Sequence, residues 1–596
     1  INNYIAAIVI DNDQSALAYA DITTSEFACT QLSHDNLLIE LERLSPSEVL
    51  IPEDQNDLMQ NHLNTLSIQD PSAFRQDVSE ETILKHFGAI TLEGFGLTKW
   101  PLALRAAGGL LEYLSRTQMS FLKQLSYLHT YNTGNFMALD RQTRRNLELF
   151  HGGREERSAT TLLQVLDFTQ TGPGSRLLRK WVGQPLITLD DLLDRQDKVS
   201  ILNELVSLRK QTRSALDKVS DIERITTRAH MGTINPRELI SLNISLNISF
   251  DLKRVFELEN DPIPDMKEYT GWDECAELVE LIDSSIEKDP RGEPGDGTII
   301  LEGFSSELDE LRSHSSNARE FIAGLEREEI KRTNIKSLKV GYNKVFGYYI
   351  EIRNPHLEQV PEEYIRKQTL VGAERFITPK LKEYESLILS ARERIFDLEK
   401  SLYLQICNQV GEKSITLCKL ADALAHIDAY TSLAEAAHRY NYVKPELNTT
   451  ATINITGGRH PVVERMVPSG TFTPNDTNLS NEETQLIVLT GPNMSGKSTY
   501  LRQVALIVLM AQIGSFVPAD SASIGLVDRI FTRIGIQDNL AKGESTFMVE
   551  MVETATILNQ STSQSLVILD EIGRGTSTYD GISIARAVVE YLHNDP

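Results

Sequence analysis

The sequence predicts a multidomain protein that combines helical and α/β units. Its 596 residues suggest about three to five domains at roughly 100 to 200 residues each. Hydrophobic residues make up 41% of the chain, which is enough apolar material for several cores. Strand-like and helical signals mix in the first hundred residues and again near 485–512. From about Leu102, apolar residues at three-and-four spacing indicate a long helical region. These observations predict a small α/β unit, a helical core and a second α/β unit.

Composition excludes several classes of protein. A formal charge of −25 argues against general attraction to nucleic acid, so any such contact must be local. Without an apolar run of about 18 residues or an amino-terminal leader, neither a membrane span nor secretion is indicated. The four cysteines lie far apart, which predicts reduced thiols in a cytoplasmic protein. They are Cys29, Cys275, Cys407 and Cys418.

The first hundred residues predict the small α/β unit, with a buried strand over 4–10 and a helix over 36–44. The helical core follows from about Leu102 and continues for more than 150 residues. Residues 289–297, rich in Pro, Gly and acids, are predicted to form a solvated linker.

Two stretches with a narrow apolar seam predict a pair of long antiparallel helices. Spacings of three and four alternate in both, and a Ser306-x-x-Asp309 capping box precedes the first. Each helix of about 25 residues would be roughly 40 Å long, so the pair forms an arm that carries its tip far from the body. The seams are Leu308, Leu311, Ser315, Ala318, Ile322 and Leu325, then Leu381, Tyr384, Ile388, Ala391, Ile395, Leu398 and Leu402.

The arm's tip, roughly 334–379, has the alternation of β-strands. Its alternating apolar residues are Phe346, Tyr348, Ile350 and Ile352, and Gly341 and Asn343 are predicted to supply turns. Residues 331–382 hold eleven basic residues against five acids, a local excess typical of a phosphate-contacting surface. A merely solvated charged face is the alternative. The candidate DNA-contacting residues are Lys336, Lys344, Arg366, Lys367 and Arg375.

A phosphate-binding loop is the strongest motif in the chain. An apolar run over 485–490 predicts a buried strand, and G-x-x-x-x-G-K-[ST] follows it before an apolar helix. Glycines let backbone N–H groups approach phosphates, Lys497 reaches the β/γ oxygens, and Ser498 ligates Mg²⁺. The candidate ATP-binding residues of this stretch are Gly491, Pro492, Asn493, Met494, Ser495, Gly496, Lys497, Ser498 and Thr499.

The second half of the predicted site is a pair of carboxylates. Leu566-Val567-Ile568-Leu569 predicts a buried parallel strand that ends in Asp570-Glu571, where ligands bind in open α/β sheets. Asp570 would hold Mg²⁺, directly or through water, and Glu571 would orient and polarise the attacking water. Two polar stretches, 542–547 and 573–581, adjoin this site, and both have ordinary caps and turns as an alternative explanation.

Several of these stretches together resemble the MutS DNA mismatch-repair family. In the predicted ATPase they are 490–500, 529–551 with its Ser545-Thr546-Phe547-Met548-Val549-Glu550-Met551, 570–581, and Arg459-His460-Pro461 at its start. The stretches 341–352, 366–370 and Ala373-Glu374-Arg375 resemble the family's clamp. Residues 139–147 and Gly174-Ser175-Arg176 resemble its core, and the first 120 residues resemble its connector.

The resemblance implies an ABC-type ATPase that uses ATP/ADP and Mg²⁺ and encircles double-stranded DNA as a dimer. It implies a homodimer, or a heterodimer in a eukaryotic-type protein, a MutL-type partner and a cytoplasmic, nucleoid-associated location. Phe472 would stack on adenine, Asn493 would help hold the nucleotide, and Ser545 would reach the γ-phosphate bound by the other subunit. The implied domains are a connector over 1–120, a helical lever over 121–325 and 386–447, a clamp over 326–385 and an ATPase over 448–596.

Two departures from the family pattern limit what the resemblance implies. None of the nineteen phenylalanines is followed by x-Glu, so the family's mismatch-reading wedge is expected to be missing. The sequence also stops before the family's histidine-containing switch and carboxy-terminal dimerisation region, which puts hydrolysis and stable dimerisation in question. Alternatives are a family member acting on recombination intermediates, a nucleotide-gated clamp without hydrolysis, and a small-molecule kinase.

Overall fold

The computed structural model describes residues 3–11, 14–59, 66–118, 122, 125, 127–150, 160–259, 263–296, 298–343, 347–468, 470–492, 495–534, 546–573 and 576–594. The chain divides into two compact units. The first contains Ile1–Thr227, Asn247–Trp272 and Ser414–Pro596, and the second contains Arg228–Leu246 and Asp273–Lys413. Within these described ranges, no helix is long and apolar enough to cross a membrane.

A six-stranded mixed sheet opens the first unit. Its strands are β1 (Ile5–Asp11), β2 (Gln14–Asp21), β3 (Glu26–Ser33), β4 (Glu48–Pro52), β5 (Leu66–Gln69) and β6 (His129–Thr130), in the order β5-β4-β1-β2-β3-β6. Helix α1 (His34–Leu44) covers one face, and α2 (Gln76–Phe87) and α3 (Pro101–Thr117) cover the other. Alternate residues of β1 enter the two cores, as the two-residue period of a strand requires. The strand predicted over 4–10 and the helix predicted over 36–44 are confirmed.

The helical region begins later than the prediction placed it. Residue Leu102 belongs to α3, which packs on β1 and β2, and the described part of 118–161 contains only short elements. The helices of this region are α4 (Arg141–Asn146), α5 (Leu162–Leu166), α6 (Gly172–Gly183), α7 (Leu189–Glu204), α8 (Val206–Leu216), α9 (Ile222–His230), α10 (Pro236–Leu258), α11 (Asp265–Glu268) and α12 (Trp272–Ser285).

The predicted arm is present in the second unit as α13 (Ser306–Thr333) and α14 (Pro379–Glu412), which pack along each other. All six predicted seam residues of α13 are buried. The capping prediction was wrong by one residue, because Ser305 caps α13 by accepting the N–H of Leu308. In α14, Glu385, Glu399 and Tyr403 are buried where Tyr384, Leu398 and Leu402 were predicted. The two carboxylates accept backbone N–H groups, and the Tyr403 hydroxyl donates to the carbonyl of Ile234.

Residues 289–297 form a loop whose described residues are mostly exposed, as predicted, and which is fastened to the protein near its end. The fully buried carboxylate of Glu399 accepts N–H groups from Gly295 and Ile299, each at 2.9 Å. Arg312 donates to Glu399 at 3.1 Å, so the buried charge is paired. The solvated-loop prediction is therefore confirmed for most of the described stretch, although nothing in the sequence indicates that Glu399 fastens Gly295.

The arm's tip is a four-stranded antiparallel sheet, as the alternation predicted. Its strands are β7 (Lys339–Asn343), β8 (Gly347–Arg353), β9 (Ile365–Thr369) and β10 (Ala373–Ile377), in the order β7-β8-β10-β9. Gly341 lies inside β7 and not in the predicted turn. A glycine is needed there because Tyr349 on β8 lies so close that a Cβ would come within 2.8 Å of its ring. Predicted residues Lys344 and Phe346 lie outside the described residues.

The last part of the first unit follows α15 (Ser414–Tyr440). Its strands are β11 (Glu446–Asn448), β12 (Thr452–Gly458), β13 (Asn475–Ser480), β14 (Ser521–Gly525), β15 (Arg529–Arg533) and β16 (Ser565–Leu569). The first four form a sheet in the order β11-β14-β12-β13, and β15 pairs with β16 in parallel. The helices are α16 (Val463–Met466), α17 (Lys497–Gln512), α18 (Thr546–Gln560) and α19 (Thr578–Asn594).

The buried strand predicted over 485–490 is not formed. These described residues belong to no strand, and Val488 is 71% exposed. An apolar run becomes a strand only when a neighbouring strand accepts its backbone hydrogen bonds. No described strand pairs with 485–490. The strand predicted over 566–569 is confirmed as β16.

Candidate functional site

The loop before α17 is closed by its lysine. Lys497 Nζ donates to the carbonyl of Gly491 at 2.7 Å and to that of Pro492 at 2.9 Å. Gly496 precedes the helix with φ +92°, a conformation that favours glycine. The ammonium group thus binds the start of the loop beside a helix N-terminus, where backbone N–H groups attract anions. Asn493 and Met494 lie outside the described residues.

Ser498 meets the carboxylate pair directly. Its Oγ donates to Asp570 Oδ2 at 2.6 Å, although the two residues are 72 positions apart in sequence. Ser498 lies in the first turn of α17, and Asp570 follows the last residue of β16. The structure therefore brings together the two halves of the predicted site.

Helix α17 is fixed firmly enough to hold this geometry. All ten residues from Gln503 to Gln512 are buried, which anchors the helix by its apolar length. At its far end, Gln512 donates from Nε2 to the carbonyl of Leu186 at 2.9 Å and accepts the N–H of Val527 at 2.9 Å.

The turn after β16 has an unusual backbone. Asp570 N–H donates to the carbonyl of Arg533 at 2.7 Å, and Gly573 N–H donates to Glu550 Oε1 at 2.5 Å. Between them, exposed Glu571 has φ +56°, a left-handed conformation that costs a non-glycine residue about 1–3 kcal/mol. Such strain concentrates at functional sites. The predicted base therefore lies on a turn that is fastened at both ends.

Sequence reasoning missed Arg533 and Glu550, which hold this turn. Both are buried, and Arg533 Nη2 lies 3.6 Å from Glu550 Oε2. The available signal was a pair of acids, Glu550 and Glu553, in a helical stretch rich in apolar residues, because buried charges in proteins are paired.

The donor set fits a magnesium ion. Mg²⁺ takes oxygen ligands and in phosphate-transfer sites is held by one or two protein groups together with substrate phosphates. Ser498 Oγ and Asp570 Oδ2 are such oxygens, they lie 2.6 Å apart, and Ser498 is exposed. These two residues would hold the ion.

The other residues predicted to contact the nucleotide differ in exposure, and some of them lie outside the described residues. Ser495 is exposed and Thr499 half-buried beside the loop. Phe472 is half-buried just before β13, whose Thr477 hydroxyl lies 2.9 Å from that of Tyr500 on α17. Ser545 lies outside the described residues, as do Arg574 and Gly575. In the stretch 573–581, Ser577 accepts the N–H of Asp580 and so begins α19 as an ordinary helix cap.

The basic residues of the tip differ in how they are engaged. Lys336 and Lys367 are exposed, and Arg366 is 63% exposed while paired with Glu374 at 2.9 Å. The strand register shifts beside Lys367, which leaves it unopposed in edge strand β9.

Arg375, in contrast, is only 19% exposed and is held within the sheet. It donates to Glu351 and to Gln368, each at 3.0 Å, and its guanidinium lies 4.2 Å from the Tyr349 ring centre. Its charge is thus already balanced inside the tip.

Helix α4, within the stretch 139–147, covers the free edge of β15. Thr143 Oγ1 donates to the carbonyl of Ile530 at 3.2 Å, and Asn146 Nδ2 donates to that of Thr532 at 3.1 Å. Through these bonds the helical core contacts the strand whose last residue, Arg533, holds the carboxylate turn.

The chain is similar to known protein families along most of its length. The chain matches the family models of MutS domain II over residues 3–128, MutS domain III over 142–434 and MutS domain V over 487–596. The site residues Lys497, Ser498, Asp570 and Glu571 all fall within the domain V match.

Similar proteins span bacteria and archaea. A protein of Dehalococcoides mccartyi named DNA mismatch repair protein MutS is 49% identical over all of this chain and 69% of its own length. Proteins of the same name from Lachnoclostridium phytofermentans and Methanococcoides burtonii are each 44% identical over all of this chain, and over 64% and 68% of their own lengths. Because both the family models and these relatives match along nearly all of it, the chain belongs to the MutS family.

Proposed function

We propose that this chain is an ATP-dependent DNA-binding clamp protein of mismatch repair, which couples ATP binding and hydrolysis to encircling duplex DNA. The contact between Ser498 and Asp570 carries the proposal, because it joins the phosphate loop to the carboxylate pair. The relatives are named DNA mismatch repair proteins, which supports the same biological role.

In the proposed site the loop before α17 binds the triphosphate. Lys497, now bound to loop carbonyls, turns its ammonium group to the β/γ oxygens. Bound Mg²⁺ would neutralise charge developing on the phosphate oxygens. Glu571 orients and polarises the attacking water, and the fixed turn holds its backbone in place.

The tip is the proposed DNA-contacting surface. Lys336, Lys367 and, outside the described residues, Lys344 supply positive charge, and Arg366 contributes partly because Glu374 shares its charge. Phosphate contacts position a protein on DNA without reading the bases. Arg375 is proposed to support the sheet rather than to touch phosphate, because Nε and Nη1 donate within the sheet and Glu351 balances its charge.

The family supports further proposals about assembly. The working form is proposed to be a homodimer on double-stranded DNA with a MutL-type partner, in the nucleoid-associated cytoplasm. Phe472 and Asn493 would hold the nucleotide, and Ser545 would reach the γ-phosphate of the other subunit.

Magnesium-dependent ATP hydrolysis, measured with and without duplex DNA, tests the proposal. We expect hydrolysis whose rate changes when duplex is added. Asp570→Asn should abolish it by weakening the metal site, whereas Glu590→Gln, on the exposed face of α19, should leave it unchanged. Equal activity in wild type and Asp570→Asn would contradict the proposed site.

A further inference from the structure

A buried acidic group joins α18 to the carboxylate turn. Glu550 lies in the second turn of α18 and is only 3% exposed. Its Oε1 accepts the Gly573 N–H at 2.5 Å, and its Oε2 lies 3.6 Å from Arg533 Nη2. A buried carboxylate is costly unless it is paired and hydrogen-bonded, and Glu550 is both.

Arg533 closes the link at the other end of the turn. It is the last residue of β15, and its carbonyl accepts the Asp570 N–H at 2.7 Å. Its guanidinium also lies 3.2 Å from Glu553, which is on the next turn of α18 and is 29% exposed. The two ends of the turn are thus held by the backbone carbonyl of Arg533 and the carboxylate of Glu550, and the side chains of these two residues form an ion pair.

The turn has a strained backbone that this link helps to hold in place. Gly573 has φ +78°, and a Cβ there would lie 2.6 Å from Gly581. Glu571, two residues earlier, is already in the left-handed region. A non-glycine residue keeps that conformation only when its surroundings enforce it, and the Gly573–Glu550 bond is one such constraint on its carboxyl side.

We propose that Glu550 is a positioning residue for ATP hydrolysis, which sets the orientation of Glu571 by holding the Gly573 amide. This inference rests on the proposed function. It assigns Glu550 no contact with nucleotide, so its loss should lower the catalytic rate rather than nucleotide affinity. Because Glu550 is on α18, movement of that helix would be transmitted to the proposed catalytic turn through this hydrogen bond and through the ion pairs with Arg533.

Three variants separate this role from a general effect of charge. Glu550→Asp withdraws the acceptor from Gly573, whereas Glu550→Gln removes the charge but keeps an oxygen that accepts the N–H. Glu553→Gln is the matched control, since it removes the other carboxylate near Arg533 without touching the turn. We expect kcat for ATP hydrolysis to fall about 10–100-fold in Glu550→Asp, the scale of outer-shell residues, with nucleotide affinity almost unchanged. Glu550→Gln and Glu553→Gln should retain kcat.

Hydrogen exchange of peptides containing Gly573 supplies a readout that does not depend on hydrolysis. Exchange at this amide should be faster in Glu550→Asp and normal in Glu553→Gln. Unchanged exchange, or an equal loss of kcat in Glu553→Gln, would overturn the inference. If Glu550→Asp does not fold, Glu550→Gln provides the test. A large loss of kcat in folded Glu550→Gln would contradict a role that depends on accepting the Gly573 N–H.

Wild-type behaviour distinguishes this inference from the proposed function. A wild-type chain that binds duplex but hydrolyses no ATP would contradict the proposed function itself. A wild type that hydrolyses ATP, together with an equally active Glu550→Asp variant, would contradict only the role of Glu550.

Discussion

The nucleotide site and the arm's tip were both predicted from local sequence, yet the two predictions were of different kinds. At the nucleotide site, the motif prescribes which residue does what, and the structure brings Ser498 and Asp570 to 2.6 Å. At the tip, only a local excess of positive charge was available, and the structure engages part of that charge internally, as with Arg375. A spacing motif encodes geometry, whereas a charge count does not reveal which charges are free to bind a ligand.

The largest effect expected from this comparison is loss of ATP binding in Lys497→Ala. The variant loses the only ammonium group bound to the loop carbonyls among the described residues, so both the charge for the phosphates and the loop's closure are removed. Equilibrium binding of a labelled nucleotide measures this. Lys336→Ala, at the tip, is the control and should bind nucleotide normally. Normal nucleotide binding by Lys497→Ala would remove the loop from the site.

A somewhat smaller effect is expected for Glu571→Gln. Nucleotide binding should persist while hydrolysis falls by about a hundredfold, the scale of a general base. Single-turnover hydrolysis measures the chemical step without product release. An unaltered rate would assign the base to another residue, and Glu590→Gln controls for loss of a carboxylate elsewhere.

Acid should destabilise the proposed nucleotide domain, residues 448–596, through His460. Burial lowers the pKa of His460 to about 4, with Arg502 contributing, and Nδ1 accepts the N–H groups of Val462 and Val463 at 3.2 Å. Its pKa in the unfolded chain is about 6.5, so the unfolded state binds the proton first and stability falls as pH drops from 6.5 towards 4. Between pH 7 and pH 5 the loss is about 2 kcal/mol.

Urea unfolding, followed by pulse proteolysis of the nucleotide domain, tests this pH dependence. His460→Asn keeps an acceptor for the two N–H groups but does not titrate, so its stability should change less between the two pH values. Equal acid sensitivity of wild type and His460→Asn would contradict the assignment.

The smallest expected effect is a change in the salt dependence of duplex binding by the tip. It separates the exposed charges of the tip from the paired one. If Lys336 and Lys367 contact phosphates, replacing both with alanine should flatten the slope of log affinity against log salt by about two units. Arg375→Ala should leave the slope unchanged, because its charge is balanced by Glu351. Salt titration of duplex binding measures both. A flatter slope in Arg375→Ala would show that its pairing with Glu351 opens on DNA.

Sequence predicted the fold best where local periodicity and burial coincide. All six seam residues of α13 are buried, because a helix with one apolar stripe has a single face to pack. Prediction from sequence failed where groups distant along the chain determine whether a residue is buried. Glu385 and Glu399 are buried in α14 because each accepts backbone N–H groups, and an acidic residue in a helical pattern gives no sign of that.

The candidate site shows the same division. The loop and carboxylates could be predicted because phosphate chemistry fixes residue types and their order along the chain. The strand over 485–490 could not be decided from sequence, because an apolar run does not name its partner strand. The roles of Arg533 and Glu550 depend on contacts between elements, and position in sequence carries little information about such contacts.

The central claim is that the loop at 491–498 and the turn at 570–573 form one nucleotide site. Hydrogen exchange of the wild type, with and without Mg²⁺ and a nonhydrolysable ATP analogue, tests it most directly. Both segments should become protected together at the same nucleotide concentration, and neither should respond in Lys497→Ala. Protection confined to one segment, or absent from both, would contradict the account.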